Sequence, residues 1–212
     1  GWVVPNLVTY EKAHLYCNGK LVYDGLSSPL GLPALCPPYW GKMSLEELKE
    51  HIYFSDEIVN AIPYHWSNLY RTHEKVWGFC MPKRIVDSLS AGEYTVDIVA
   101  TETESVMPVF EIGVEGKSKK TVLINAHNCH PFQANDDISG CAVGIKVMQA
   151  LLRRKSKLNY SYKLLIAPEI IGPSHWIDSL GSMAHDLIAT IMLKSVGNNS
   201  ALKVQKSYEG NS

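Results

Sequence analysis

Cysteine is scarce in this sequence, and the few cysteines form no recognisable pattern. There are five in 212 residues, and no two of them have the Cys-x-x-Cys spacing of thiolate zinc sites. The spacing argues against a thiolate zinc site and against a disulfide framework. We expect buried free thiols in a reducing compartment and, since no signal-peptide pattern is present, a cytoplasmic protein. The cysteines are Cys17, Cys36, Cys80, Cys129 and Cys141.

The sequence also lacks an excess of charge of either sign and a long apolar run. The net charge is -1 and the isoelectric point is near 6.8, so we expect neither nucleic acid nor an anionic membrane as a partner. No apolar run approaches the length of about 20 residues that spans a bilayer. With 46% hydrophobic and 19% charged residues, the composition is that of a globular protein with a sizeable core.

Turn-forming and aromatic residues dominate the first hundred residues. Prolines and glycines crowd residues 25–41, a composition that excludes a helix or a central strand there. Around this stretch, Asn18-Gly19 is a hairpin signal, residues 44–47 have the capping-box pattern of a helix start, and residues 94–99 alternate like a half-exposed strand. We expect residues 1–104 to form a smaller β-rich domain with one short helix.

Strand and helix patterns alternate from residue 105 onwards. This alternation is typical of a mostly parallel sheet with helices packed on it. We therefore predict an α/β domain in residues 105–212, with a mostly parallel (mixed) sheet and helices on both faces. The predicted strands are residues 109–114, 121–125, 162–167 and 187–193, and the predicted helices are residues 139–154 and 175–183.

The most informative segment is the loop of residues 126–140, which follows an apolar strand pattern. It contains two imidazoles, His127 and His130, and two adjacent carboxylates, Asp136 and Asp137. The carboxyl end of a strand is where open α/β sheets bind their ligands. Imidazole nitrogen and carboxylate oxygen are donors that suit zinc. We interpret the loop as half of a metal site.

Each of these side chains also has a plain structural interpretation. His130 precedes a proline, which favours an extended backbone, and it can simply be hydrogen-bonded in a polar turn. His127 lies in a partly extended stretch, so the two imidazoles need not face the same way. Asp136 and Asp137 precede a helix start, where carboxylates cap the first turn. Capping explains one aspartate better than it explains two.

A further candidate, Glu169, follows the predicted strand of residues 162–167. It is flanked by Pro168 and by two isoleucines, an environment in which an unpaired carboxylate is costly. Desolvation there would raise its pKa, as a general base that activates water requires. The alternative is a glutamate turned towards solvent. Donors at the ends of neighbouring strands are a stronger signal than any one of them alone.

In combination, these motifs resemble those of the zinc aminopeptidases of the co-catalytic clan. The resemblance is closer to the bacterial aminopeptidase-like family that carries an inserted domain of unknown function, and it covers nearly the whole chain. It implies a zinc-aminopeptidase-like sheet and a smaller β-rich inserted domain. The matching segments are Cys129-His130-Pro131, Ala134-Asn135-Asp136, Ser139-Gly140 and residues 168–172, together with residues 2–5, 62–64 and 77–80 in the first domain.

The resemblance also implies a role for each candidate residue. His130 would be a zinc ligand, Asp136 would bind or bridge zinc, and Glu169 would be the catalytic base. His127 and Asp137 would be supporting groups or alternative ligands. The implied cofactor is zinc, as one or two ions. The implied substrate is a peptide or a small-molecule amide, which metal-activated water cleaves.

Two features depart from the family pattern. In related di-zinc enzymes a second glutamate follows the base directly and binds metal, whereas this sequence has Ile170 there. The later strands of the family supply further metal-site residues, including a histidine, and no histidine follows Leu193 in this chain. We therefore expect an incomplete aminopeptidase fold in a fragment or shortened family member, and a metal site that lacks some ligands.

The same fold is compatible with other functions. Related zinc folds carry out acyl transfer or deacylation, for instance on sugar-linked amides. A chain without the distal ligands would instead serve as a non-catalytic binding or assembly module, including a homo-oligomer, that pairs through exposed sheet edges. The polar segments left to complete a site are residues 194–199 and 206–211.

Overall fold

The computed structural model of the chain describes residues 4–70 and 75–204, with Tyr70 described in its backbone only. Residues 2, 3 and 206–211, which entered the sequence interpretation, lie outside the described residues. The chain divides into two compact units, one of residues Pro5–Val106 and one of residues 107–204 with Val4. The sequence predicted a boundary between residues 104 and 105, and the units divide between Val106 and Met107.

The first unit is built on a four-stranded antiparallel sheet with the strand order β2-β1-β6-β3. Its core includes alternate residues of β1 and β6, among them Leu15, Tyr94 and Val96, which are all fully buried. The elements are β1 (Leu7–Cys17), β2 (Lys20–Asp24), β3 (Tyr39–Met43), α1 (Leu45–Lys49), β4 (Ile52–Tyr53), α2 (Ser67–Tyr70), β5 (Phe79–Cys80), α3 (Lys83–Val86) and β6 (Tyr94–Thr103). A single 3-10 turn, Gly25–Ser27, follows β2.

The hairpin turn and the helix start that the sequence predicted in the first unit are both present, since each depends on neighbouring residues. Asn18 and Gly19 have φ values of 49° and 78° and join β1 to β2, as a primed hairpin turn requires. The Ser44 hydroxyl accepts the Glu47 N–H, and the Glu47 carboxylate accepts the Ser44 N–H, which completes the capping box. α2 and α3 were not predicted, because four residues are too few to show a helical period.

The second unit contains a four-stranded mixed sheet with the strand order β10-β8-β9-β7. β10, β8 and β9 run parallel, and β7 pairs antiparallel with β9. This confirms the predicted mixed α/β sheet. The elements are β7 (Phe110–Val114), β8 (Thr121–His127), α4 (Ser139–Arg153), β9 (Ser161–Ala167), α5 (Ile171–Leu180) and β10 (Leu187–Met192), with 3-10 turns at Lys155–Lys157 and Gly181–Asp186.

The two long helices of this unit pack on opposite faces of the sheet. Met148 of α4 packs with Ile124 and Leu164, whereas Trp176 of α5 packs with Leu123 and Leu165. Neighbouring residues of a strand point to opposite faces, so these contacts put one helix on each face. Helices on both faces were predicted from the sequence.

α5 begins at Ile171, four residues before the predicted start at His175. The predicted start was too late, because Gly172 and Pro173 lie within the first turn of the helix. Proline fits the first turn of a helix, where its missing N–H would have no partner within the helix. The earlier start brings the N-terminus of α5 close behind Glu169.

In the parts of the chain that the structure describes, no helix has both the length and the apolar character needed to cross a membrane.

Leu164→Ala tests the packing of β9 against α4. Leu164 is fully buried, so the substitution leaves a cavity and we expect the free energy of unfolding to fall by about 2–5 kcal/mol. Urea denaturation measures the change. Leu152→Ala is the matched control, because Leu152 of α4 is 59% exposed and its loss should change stability by less than about 1 kcal/mol. Equal losses in both variants would contradict the described core.

Candidate metal centre

Three strands of the second sheet end side by side, and a polar side chain stands at or just after each end. β8, β9 and β10 are parallel, so their carboxyl ends share one edge of the sheet. His127 is the last residue of β8, Glu169 follows β9 by two residues, and Lys194 follows β10 by two residues. The sheet topology therefore gathers groups that are far apart in the sequence.

His127, at the end of β8, contacts Asp136. Its Nε2 lies 2.8 Å from Asp136 Oδ1, and its Nδ1 lies 3.3 Å from the Cys129 sulfur. The His127 ring is buried, with 6% of its surface exposed. The sequence interpretation left His127 as a supporting group or an alternative ligand, and it predicted that β8 ends at Asn125. β8 continues to His127, and this extension brings the ring to the edge of the sheet.

His130 lies beside His127, with the two ring centroids 6.2 Å apart. Its Nδ1 is 2.9 Å from the Pro131 carbonyl oxygen, which can only accept a hydrogen bond, so Nδ1 carries the proton. In a neutral imidazole Nε2 then carries the lone pair, which is the form a metal requires. The assignment of His130 as a zinc ligand stays a prediction, and its tautomer suits that role.

Gln133 organises the loop that carries these histidines, and sequence reasoning missed it. Its side-chain oxygen accepts the N–H groups of Cys129 and His130 at 3.1 and 3.0 Å. Its side-chain nitrogen donates to Asn128 Oδ1 at 2.7 Å. Gln133 is 5% exposed, so one buried amide satisfies several polar groups of a tight turn. No periodic or metal-binding pattern in the sequence points to a residue that acts in this way.

Asp137 differs sharply from its neighbour Asp136. It is fully buried, and its carboxylate accepts the N–H groups of His127, Gly140 and Ser195 at 3.2, 3.0 and 3.2 Å. Asp136, in contrast, is 46% exposed in its side chain, and the peptide bond between the two aspartates is cis. Both oxygens of Asp137 are therefore used by the backbone, and Asp136 is the aspartate that faces the candidate centre.

Glu169 is paired with Lys194, which the sequence interpretation named only as part of the polar segment of residues 194–199. Lys194 Nζ donates to Glu169 Oε1 at 2.6 Å and lies 3.9 Å from Asp136 Oδ1. The hydrogen bond with Glu169, and then the nearby carboxylates, raise the pKa of Lys194, so its ammonium group stays charged at neutral pH. Glu169 was expected to be desolvated; its side chain is one third exposed, at 33%, and ion-paired.

His127 contacts the Cys129 thiol through one ring nitrogen and the Asp136 carboxylate through the other. A thiol, an imidazole and a carboxylate in this arrangement resemble a nucleophilic triad. Burial, and then the charges of Glu169 and Asp136, raise the pKa of the Cys129 thiol. The sulfur therefore remains a thiol at neutral pH, whereas nucleophilic cysteines need a lowered pKa. The arrangement does not favour thiolate chemistry.

The donor chemistry of this cluster fits zinc, since imidazole nitrogens and a carboxylate oxygen are the ligands that zinc prefers. His127 Nε2 and Asp136 Oδ1 already lie side by side. In the described parts of the chain, however, no three such side chains are gathered closely enough to hold a metal ion as they stand. A bound ion would therefore require side-chain adjustment around the His127–Asp136 pair.

A comparison with known protein families identifies the family of this chain. The family model described as a domain of unknown function, DUF4910, matches residues 1–212. The chain belongs to this family. Within the curated proteins, this DUF4910 chain is similar to a putative polysaccharide biosynthesis protein with an aminopeptidase-like domain from Clostridium acetobutylicum. The two are 29% identical over an alignment of 194 residues, and the match covers 89% of this chain and 43% of the relative.

Solved structures with a similar fold include three peptidases. A putative peptidase from Clostridium acetobutylicum has a TM-score of 0.76 and 27% identity, covering 93% of this chain and 46% of that one. A zinc aminopeptidase from Bacillus subtilis has a TM-score of 0.63 and 15% identity, covering 92% and 57%. An M28 peptidase precursor from Shewanella amazonensis has a TM-score of 0.55 and 11% identity, covering 88% and 58%.

These comparisons confirm the predicted resemblance at the level of the fold. The DUF4910 chain has a fold similar to that of zinc aminopeptidases and M28 peptidases. It spans less than half the length of the curated relative and of the first solved structure. The identification of the first unit as an inserted domain, and of the chain as a shortened member, stay predictions.

Asp137→Ala tests the structural role of the buried carboxylate. The substitution leaves three backbone N–H groups without their acceptor, and we expect the free energy of unfolding to fall by about 3 kcal/mol or more. Chemical denaturation measures the loss. Asp178→Ala, which removes an exposed carboxylate of α5, is the control and should change stability by less than about 1 kcal/mol. An Asp137→Ala protein as stable as this control would refute the assignment.

Proposed function

We propose that this DUF4910 chain carries the site of an aminopeptidase-type hydrolase that uses zinc-activated water to cleave an amide bond. The observation that carries the proposal is the 2.8 Å contact between His127 and Asp136, beside Glu169, at the shared carboxyl edge of parallel strands. An imidazole–carboxylate pair and a separate carboxylate are the groups that metal-assisted hydrolysis requires. The fold shared with a zinc aminopeptidase supports this chemistry.

His127, His130 and Asp136 are the proposed zinc ligands. Catalytic zinc takes about three protein ligands and a water molecule. His127, His130 and Asp136 offer two imidazole nitrogens and one carboxylate oxygen within the same loop region. His127 already contacts Asp136, and the hydrogen bond of His130 Nδ1 to Pro131 leaves Nε2 as the donor nitrogen. When bound, zinc would lower the pKa of its water and polarise the substrate carbonyl.

Glu169 is the proposed general base. Its carboxylate would take a proton from the attacking water and return it to the leaving amine, so that the nitrogen leaves as a neutral group. Lys194 holds Glu169 Oε1 at 2.6 Å, which fixes the orientation of the carboxylate and leaves its second oxygen for the proton. The proposed substrate is a peptide or a small-molecule amide.

A second candidate function keeps the same site and changes the amide. The Clostridium acetobutylicum relative is named as a putative polysaccharide biosynthesis protein with an aminopeptidase-like domain. This name favours deacylation of a sugar-linked amide as the alternative reaction. The chemistry at Glu169 would be identical, and the substrate alone would differ. Parallel assays on aminoacyl nitroanilides and on N-acetylated amino sugars distinguish the two.

Glu169→Gln tests the proposed base. Glutamine keeps the size of the side chain but accepts no proton, so we expect kcat for amide hydrolysis to fall by about 10²–10⁴-fold. Zinc content should not change, because Glu169 is not a proposed ligand. Full activity in this variant would rule out Glu169 as the base. The absence of hydrolysis in the zinc-loaded wild type would favour the non-catalytic binding module.

Asp136→Ala, His127→Ala and His130→Ala test the proposed ligands. Loss of a group that only supports a ligand typically weakens metal binding by about 10–100-fold. Because loss of a ligand itself should cost more, we expect zinc affinity to fall by about 100-fold or more. Competition with a chromophoric chelator measures the affinity. Asp178→Ala is the matched exposed control. If His130→Ala binds zinc like the wild type and His127→Ala does not, His127 is the ligand and the prediction from the sequence is wrong.

A further inference from the structure

Lys194 lies between the side chains of Glu169 and Asp136, two carboxylates of the candidate centre. Its ammonium group is 2.6 Å from Glu169 Oε1 and 3.9 Å from Asp136 Oδ1. His127 Nε2 approaches the same Asp136 oxygen at 2.8 Å. Asp136 therefore has an imidazole nitrogen and an ammonium group around one oxygen, and the ammonium group also reaches the proposed base.

The backbone on either side of Lys194 is anchored, so this placement is built into the fold. The Leu193 N–H donates to the Asn125 carbonyl of β8 at 2.8 Å. The Ser195 N–H donates to the buried Asp137 carboxylate at 3.2 Å. Lys194 is thus held between two attachment points at the edge of the sheet.

Formal charge at the centre balances with one zinc ion. Among the described residues, Asp136, Glu169 and the buried Asp137 behind them contribute three negative charges, and Lys194 with one divalent zinc ion would contribute three positive charges. A second zinc ion would add two more positive charges next to the ammonium group. Because like charges a few ångströms apart repel each other, the ammonium group of Lys194 opposes a second ion.

The residue after the base offers no donor for a second ion. Ile170 follows Glu169 and has a hydrocarbon side chain that is 41% exposed. In two-metal sites the ions lie about 3.5–4 Å apart and share carboxylate ligands. Here the ammonium group lies 2.6 Å from Glu169 Oε1 and 3.9 Å from Asp136 Oδ1, beside the carboxylates that a second ion would have to share.

We propose that Lys194 takes the place of a second metal ion, so that the centre binds one zinc ion per chain. Lys194 then acts as a positioning residue, which orients Glu169 and supplies positive charge beside Asp136. This inference rests on the proposed zinc-dependent function and specifies the metal content of the same site.

Zinc stoichiometry and affinity test the role of Lys194 without reference to activity. Purified wild type, Lys194→Arg and Lys194→Met are dialysed against buffered zinc, the metal per chain is measured by mass spectrometry, and the affinity is measured with a competing chelator. We expect one zinc ion per wild-type chain and an affinity of Lys194→Arg within about threefold of it. Lys194→Met should bind zinc at least about tenfold more tightly, because it removes a nearby positive charge.

Lys163→Met is the matched control, because Lys163 makes an ion pair of the same length, 2.6 Å, with Glu111 in the same unit. It should bind zinc like the wild type. Two zinc ions per wild-type chain would overturn the inference and leave the proposed hydrolase standing. Unchanged affinity in Lys194→Met, or the same gain in Lys194→Arg, would also overturn it. A wild type that binds no zinc would overturn the proposed function itself.

Discussion

The buried Asp137 carboxylate connects three separate segments at one edge of the second sheet. It accepts the N–H of His127 at the end of β8, of Gly140 at the start of α4, and of Ser195 after β10. A fully buried carboxylate is costly unless donors surround it, so these three segments are constrained to meet. The geometry of the candidate centre depends on this junction.

The junction also separates the roles of two adjacent aspartates. Asp137 is turned into the backbone, and Asp136 is turned towards His127 and Lys194. Because Ser195 is held by Asp137, its neighbour Lys194 is placed within 2.6 Å of Glu169. A structural carboxylate therefore positions the charges of the proposed chemistry, although it would touch neither metal nor substrate.

Much of the fold was predictable from the sequence, because it depends on interactions between residues that are close in the chain. The Asn18-Gly19 hairpin and the capping box at Ser44 depend on residues that are close in the chain. The alternation of strands and helices after residue 105 predicted the mixed sheet, and the shared carboxyl edge predicted that loops after β8 and β9 meet. The start of α5 was misplaced, since proline in a first helical turn looks like a helix break.

The sequence by itself determined the class of fold, the edge of the sheet that carries the polar groups, and the side chains available for chemistry. Only the tertiary structure decided which of them meet. His127 contacts Asp136, Asp137 accepts backbone N–H groups, and Lys194 pairs with Glu169. The physical reason is that hydrogen bonds and ion pairs form over about 3 Å, whereas the register of parallel strands brings together residues that are tens of positions apart in the chain.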